Sequence, residues 1–279
     1  MTLAHIVSPE EAGSLKPRFV DARWFLPNDE RVGRTEYDRL HIPGAVFFDI
    51  DEVATPSDNH PHLAPSPKKL ANWLGAVGIT PDACVVIYDE AGFFSAPRVW
   101  YLLKALGHEN VHVLDGGLSA WRRVGGDVTS EVPAYEPADY PLPEKLSWPV
   151  VDREIVRHAL TGRMADVVDA RPAGRFKGRD PEPRPGLSSG SMPGAFNLPF
   201  SSLTGADGRF LMPDQLDMLF RDKGLDPAKP IIASCGSGIS ACVVLLGLAE
   251  AGWPMGTLYD GSWIDWASHP EAQIEKEGA

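Results

Sequence analysis

Cys235 stands in the stretch Cys235-Gly236-Ser237-Gly238-Ile239-Ser240, after an apolar run, Ile231-Ile232-Ala233-Ser234, that reads as a buried strand and before a helical run from Ala241 onward. Two glycines in so short a connection permit left-handed backbone and let successive N–H groups face one spot at a helix start. Such a ring of amides stabilises a thiolate, and equally a persulfide, so the chemistry on offer is nucleophilic attack by sulfur. The plainer role of a free cysteine is small apolar packing. That role fits Cys84, at the start of an apolar strand, and Cys242, inside an apolar helical run. Three cysteines at these spacings suggest neither a disulfide framework nor a zinc site.

A cysteine cradled by amides also serves phosphoester cleavage, but that chemistry needs an arginine six residues later to clamp the phosphate. Here the position is Ala241, and no arginine or lysine lies between Cys235 and Leu248. The charge clamp is missing. Cations gather elsewhere: Arg171, Arg175, Lys177, Arg179 and Arg184 fall within 169–185, against a net charge of -12 for the chain. Two arginines converging on a carboxylate would hold it by forked hydrogen bonds, whereas a solvated loop of idle charges is the plainer reading. The acidic balance argues against nucleic acid and anionic membranes as partners.

The elements that must position these residues are written twice. Val20-Asp21-Ala22-Arg23 returns as Val168-Asp169-Ala170-Arg171, and His41-Ile42-Pro43-Gly44-Ala45 as Ser191-Met192-Pro193-Gly194-Ala195. Val85-Val86-Ile87-Tyr88-Asp89 matches Ile231-Ile232-Ala233-Ser234-Cys235, and Asp115-Gly116 with Trp121 matches Asp260-Gly261 with Trp266. An offset of ~150 residues is too long for a solenoid unit and implies a doubled domain. The spacing places one domain at 1–132, a proline-rich linker at 133–149 and a second domain at 150–279. Within each half, short Val- and Ile-rich runs alternate with helical stretches, the pattern of an α/β fold with a mainly parallel sheet flanked by helices. Ligands of such sheets bind beyond the carboxyl ends of the strands, where Asp89 and Cys235 fall. Only one of the two equivalent positions is a nucleophile.

The doubled Asp-Ala-Arg and Pro-Gly-Ala blocks, the Asp-Gly-Gly-Leu-Ser-Ala-Trp segment at 115–121 and the cysteine loop resemble the tandem rhodanese family over nearly the whole chain. The loop is similar to that of the 3-mercaptopyruvate branch, where Gly-Ser-Gly-Val-Thr-Ala typically follows the cysteine; Ile239 and Ser240 replace Val and Thr. Thiosulfate enzymes of the family carry Arg-Lys in place of Gly236-Ser237. The resemblance implies two tandem rhodanese-like domains, the first catalytically silent. It implies sulfur transfer from 3-mercaptopyruvate through a Cys235 persulfide to cyanide or a thiol such as thioredoxin, releasing pyruvate with no cofactor or metal. It assigns the substrate carboxylate to Arg175, in Gly174-Arg175-Phe176, and Arg184, in Pro181-Glu182-Pro183-Arg184. Gly236, Gly238, Ile239 and Ser240 would complete the binding loop. Proton movement would fall to Ser237 with Asp51 and His62 from the first domain, His60 standing two residues before the latter.

Two other readings stay open: a thiosulfate:cyanide sulfurtransferase with an atypical loop, and a non-catalytic module sensing sulfur or oxidants through Cys235. No apolar run approaches the roughly 18 residues of a membrane span, and the start lacks a basic region followed by a long apolar stretch. A cytoplasmic protein is expected. Glu275-Lys276-Glu277 and Gly278-Ala279 read as a solvated tail.

Overall fold

The apolar runs Val85–Tyr88 and Ile231–Ser234 are strands in which every residue is buried, as central strands of a covered parallel sheet must be. The computed structural model describes residues 5–90, 93–146 and 148–278. The first half runs β1 (Ile6–Val7), α1 (Pro9–Leu15), β2 (Arg18–Asp21), α2 (Gly33–Arg39), β3 (Val46–Phe47), α3 (Ile50–Val53), α4 (Pro67–Ala76), β4 (Val85–Tyr88), α5 (Ala96–Ala105), β5 (Val111–Leu114) and α6 (Gly117–Arg123). The second runs β6 (Val150–Val151), α7 (Arg153–Gly162), β7 (Asp166–Asp169), α8 (Ala173–Phe176), β8 (Phe196–Asn197), a 3-10 turn (Phe200–Leu203), α9 (Pro213–Asp222), β9 (Ile231–Ser234), α10 (Ala241–Glu250), β10 (Thr257–Tyr259) and α11 (Ser262–Ser268). Each half forms a five-stranded, wholly parallel sheet, ordered β1-β5-β4-β2-β3 and β6-β10-β9-β7-β8.

Alternation along each strand divides the core. In the first sheet Phe19, Val86 and Tyr88 pack with Tyr37 and Leu118 from α2 and α6, while Val20, Val85 and Ile87 turn the other way toward α4 and α5. In the second, Val167 and Ile232 meet α7 and α11, and Val168, Ile231 and Ala233 meet α9 and α10. The two inner faces share one continuous apolar cluster, because α5 and α10 pack on each other. All of α10 except Ala249 is buried and all of α5 except Lys104, the signature of helices covered on every side.

Two segments outside the sheets are tied down. Among the described residues of 133–149 there is no helix or strand, and the linker is docked on the first half: the Ala138 N–H donates to Gly75 O at 2.8 Å and the Tyr140 hydroxyl meets His108 Nδ1 at 2.9 Å. The tail is also docked. Glu275 bridges Ser191 in both directions, the Glu277 N–H donates to Lys177 O, and its carboxylate pairs with Lys177 and Arg179. The sequence offered only charge density there; the pairing strand edge is set by the fold. Residues 1–4, part of the leader reading, and Ala279 lie outside the described residues. No helix among the described residues is long and apolar enough to cross a membrane.

Candidate active site

β9 delivers Cys235 to the carboxyl edge of the second sheet, and the loop after it turns into α10. Gly238 has φ +85 and a Cβ there would lie 2.9 Å from Asp260 O, so that position requires glycine. Gly236 is different: its backbone is not left-handed, and a Cβ would meet the Arg175 Nη2 at 3.2 Å, so its smallness admits a guanidinium. Of the two glycines expected to supply positive φ, one does.

The backbone N–H groups of residues 236–241 have no hydrogen-bond acceptor among the described residues. The first half shows what such a nest holds. At the equivalent place Asp89 is buried, and its Oδ2 accepts from the N–H groups of Phe94, Ser95 and Ala96 at 2.7, 2.9 and 3.1 Å. Burial pushes this carboxyl up and the three amides pull it back. In the second half the place of that carboxylate belongs to a thiol.

Ser237 points its Oγ at His62 Nδ1, 2.9 Å away, and His62 Nε2 lies 2.9 Å from Asp51 Oδ1. A carboxylate only accepts, so Nε2 carries the hydrogen and Nδ1 of the neutral ring accepts from the serine hydroxyl. Asp51 sits in the first turn of α3, where its N–H donates to Asp49, and Trp24 Nε1 donates to both its oxygens at 3.1 and 3.0 Å. Burial opposes charge on Asp51, but the bonds from His62 and Trp24 and the nearby Arg184 outweigh it and hold the carboxyl below its ordinary value. His62, not His60, faces the loop; His60 turns to Asp265, 3.4 Å away.

The cations separate. Lys177 and Arg179 reach Glu277, whereas Arg171, Arg175 and Arg184 line the pocket beside the thiol, Arg171 buried there on Asp169. Arg175 donates through Nε and Nη2 to Glu182 Oε2, whose Oε1 takes Arg171 at 2.7 Å. Arg184 is half-buried and has no hydrogen-bond or ion-pair partner among the described residues. Burial and the repulsion of Arg175 lower its affinity for its proton, against the attraction of Asp51 and Cys235. The pocket measures about 190 Å³ and is lined also by Cys235, Gly236, Ser237, Ile239, Ser240 and the rings of Trp24, Phe94 and Phe200. Gly238 does not line it; it backs onto Asp260 and Arg98. Cys242 is buried, its thiol bonded to Gly238 O at 3.6 Å and pushed up to about 12 by burial, and so is inert. No group of three or more His, Cys, Asp or Glu able to hold a metal is found among the described residues.

Several functional neighbours escaped sequence reasoning. Ser262 accepts the Cys235 N–H at 3.1 Å and does so from left-handed backbone, φ 53, where the first half has Gly117 at φ 59. The repeat alignment carried that signal. Trp24, Glu182 and Arg98 carried none, since their roles arise from contacts between segments far apart in sequence or folded back by the loop.

The Rhodanese-like domain family matches the chain twice, over residues 8–124 and 153–269. The chain is 40% identical over 273 residues to the 3-mercaptopyruvate sulfurtransferase of Rattus norvegicus, spanning 96% of this chain and 91% of that relative. It is 37% identical over 272 residues to the thiosulfate sulfurtransferase of Cricetulus griseus, spanning 95% and 91%. Among solved structures, SseA from Escherichia coli, described as a 3-mercaptopyruvate sulfotransferase, superposes with a TM-score of 0.81 at 37% identity, covering 93% of this chain and 99% of that one. Two matched domains, two parallel sheets of one order and a cysteine loop after the central strand agree, and the chain belongs to the rhodanese-like family.

Proposed function

We propose that this chain is a sulfurtransferase that takes sulfur from 3-mercaptopyruvate as a Cys235 persulfide, releases pyruvate, and passes the sulfur to cyanide or to a thiol such as that of thioredoxin. The observation that carries this reading is the linear arrangement Ser237, His62, Asp51 ending beside a cysteine whose loop holds open amides and no cation. A monoanionic α-keto acid needs one carboxylate anchor and a proton donor; Arg184 and Ser237 supply them. Dianionic thiosulfate gains most from cations next to the thiol, and Gly236 and Ser237 stand there instead.

The first half-reaction begins when the Cys235 thiolate attacks the substrate sulfur. An S–S bond forms, the C–S bond breaks, and its electron pair goes to the carbonyl-stabilised carbon, giving pyruvate enolate and the protonated persulfide. Ser237 gives its proton to the enolate carbon and regains one from the persulfide, while His62, which Asp51 holds in the required tautomer, orients the hydroxyl by accepting from it. The proton leaving the persulfide balances the one consumed. The open amides stabilise the resulting anionic outer sulfur. In the second half-reaction the acceptor thiolate attacks that sulfur and Cys235 leaves as thiolate. The first half of the chain is silent on this reading, because Asp89 fills its own nest.

The test is to mix reduced protein separately with 3-mercaptopyruvate and thiosulfate and map added mass. A gain of about 32 Da on Cys235, with equimolar pyruvate from mercaptopyruvate and none in Cys235→Ser, supports the assignment. Loading by thiosulfate alone moves the chain to the thiosulfate reading, and no loading from either makes it a binding or sensing module.

A further inference from the structure

Arg98 lies outside the pocket lining and reaches the catalytic loop from the other half of the chain. It stands in the first turn of α5 with its guanidinium 2% exposed. The guanidinium donates to the His62 carbonyl at 2.8 Å and to the Gly238 carbonyl at 3.2 Å, and Asp260 Oδ1 lies 2.8 Å from its Nη2 as an ion pair. Asp260 in turn accepts the Ala64 N–H at 2.5 Å, so the His62 carbonyl and the amide two residues on end on the same buried ion pair. The hydrogen bond from Ser237 to His62 joins residues 175 positions apart in sequence. On one side of it is the residue whose carbonyl Arg98 holds; on the other is the neighbour of a residue whose carbonyl Arg98 holds.

We infer that Arg98, seated on Asp260, is a positioning residue that sets the Ser237–His62 geometry across the domain interface and through it the proton step of sulfur transfer. The inference rests on the activity proposed above. A guanidinium is suited to the task because its donors lie in one rigid plane, so fixing two of them fixes the direction of the third. A lysine ammonium keeps the charge opposite Asp260 but cannot hold both carbonyls from one rigid plane. A relay mis-set by a fraction of an ångström to an ångström loses rate without losing affinity. Arg98 is not among the residues lining the pocket, and its partners are Gly238, His62 and Asp260, so substrate binding is left alone.

The experiment compares Arg98→Lys and Asp260→Asn with the parent for kcat and KM on 3-mercaptopyruvate, for thermal stability, and for the side-chain ¹⁵N signals of His62. The same substitutions are repeated in a Ser237→Ala background. Arg98→Lys is expected to lower kcat about tenfold or more with KM within about twofold and melting nearly unchanged, and to shift the His62 ring signals. In the Ser237→Ala background the further loss should nearly vanish, since the bond that Arg98 positions is already gone. An unchanged kcat in Arg98→Lys overturns the inference, as does a loss equally large in both backgrounds. Should Arg98→Lys fail to fold, Asp260→Asn, which keeps an acceptor for Ala64, is read in the same way. A parent that never turns over mercaptopyruvate removes the proposed activity, while the His62 signals still decide whether Arg98 governs the ring: unchanged signals refute it.

Discussion

Arg175 and Arg184 carry the same charge nine residues apart and are in different states. Arg175 is held by Glu182 against Arg171 through its Nε and Nη2, whereas Arg184 faces the pocket with its donors free among the described residues. Arg184→Ala should therefore raise KM for 3-mercaptopyruvate about 10- to 100-fold, the worth of charge-assisted hydrogen bonds, with the melting temperature unchanged. Arg175→Ala should instead cost about 1–3 kcal/mol of stability by stripping one partner from a buried carboxylate. Both arginines were legible in the sequence, but their inequality was not, because Glu182 reaches Arg175 and Arg171 only after the segment beyond α8 folds back. Asp51 gives a pH signature. Its carboxyl is below its ordinary value in the fold, so the folded state binds fewer protons than the unfolded one. Its stabilisation is complete above the unfolded value of about 3.9 and disappears as pH falls through the lower folded value. Melting Asp51→Asn and the parent between about pH 2 and pH 5 should show the variant with the shallower acid limb.

The loop between β9 and α10 places two glycines under different demands. Gly238→Ala adds a side chain at φ +85 against Asp260 O and should cost about 1–3 kcal/mol while removing most turnover. Gly236→Ala meets only the movable end of Arg175, so stability should hold within about 0.5 kcal/mol and the loss should appear in KM. Urea melts and steady-state kinetics on the pair check both. The strands and this loop could be read from sequence because short Val- and Ile-rich runs bounded by glycine are local signals. The strap at 133–149 and the tail at 275–277 could not, since prolines and charges do not say which surface they lie on. Ser262 was half-visible: aligning the repeats put it opposite Gly117, but the strained backbone that brings its hydroxyl to the Cys235 amide is a property of the turn after β10.

At the scale of the molecule the halves are one folding unit, because α5 and α10 bury their surfaces in a common core. Calorimetry, far-ultraviolet dichroism and tryptophan fluorescence should report one coincident transition, and Trp100→Ala, at a fully buried site on α5, should shift it by about 3–5 kcal/mol without splitting it. Two separate transitions would contradict the shared core. The repeats made the doubled architecture plain at the outset, yet repetition says that two parts are alike and nothing about how they face. That is why Arg98, which opens an apolar helical run in the sequence, gave no hint of its reach into the other half. The carboxylate of Asp89 settles a matter of counting. Two loops of common design stand in one chain, but one is permanently occupied by its own side chain, so the proposed activity would carry one sulfur per molecule. Saturating loading followed by cyanide should yield one thiocyanate for each chain and not two, which on the proposed activity makes the duplicated chain a single-shot carrier.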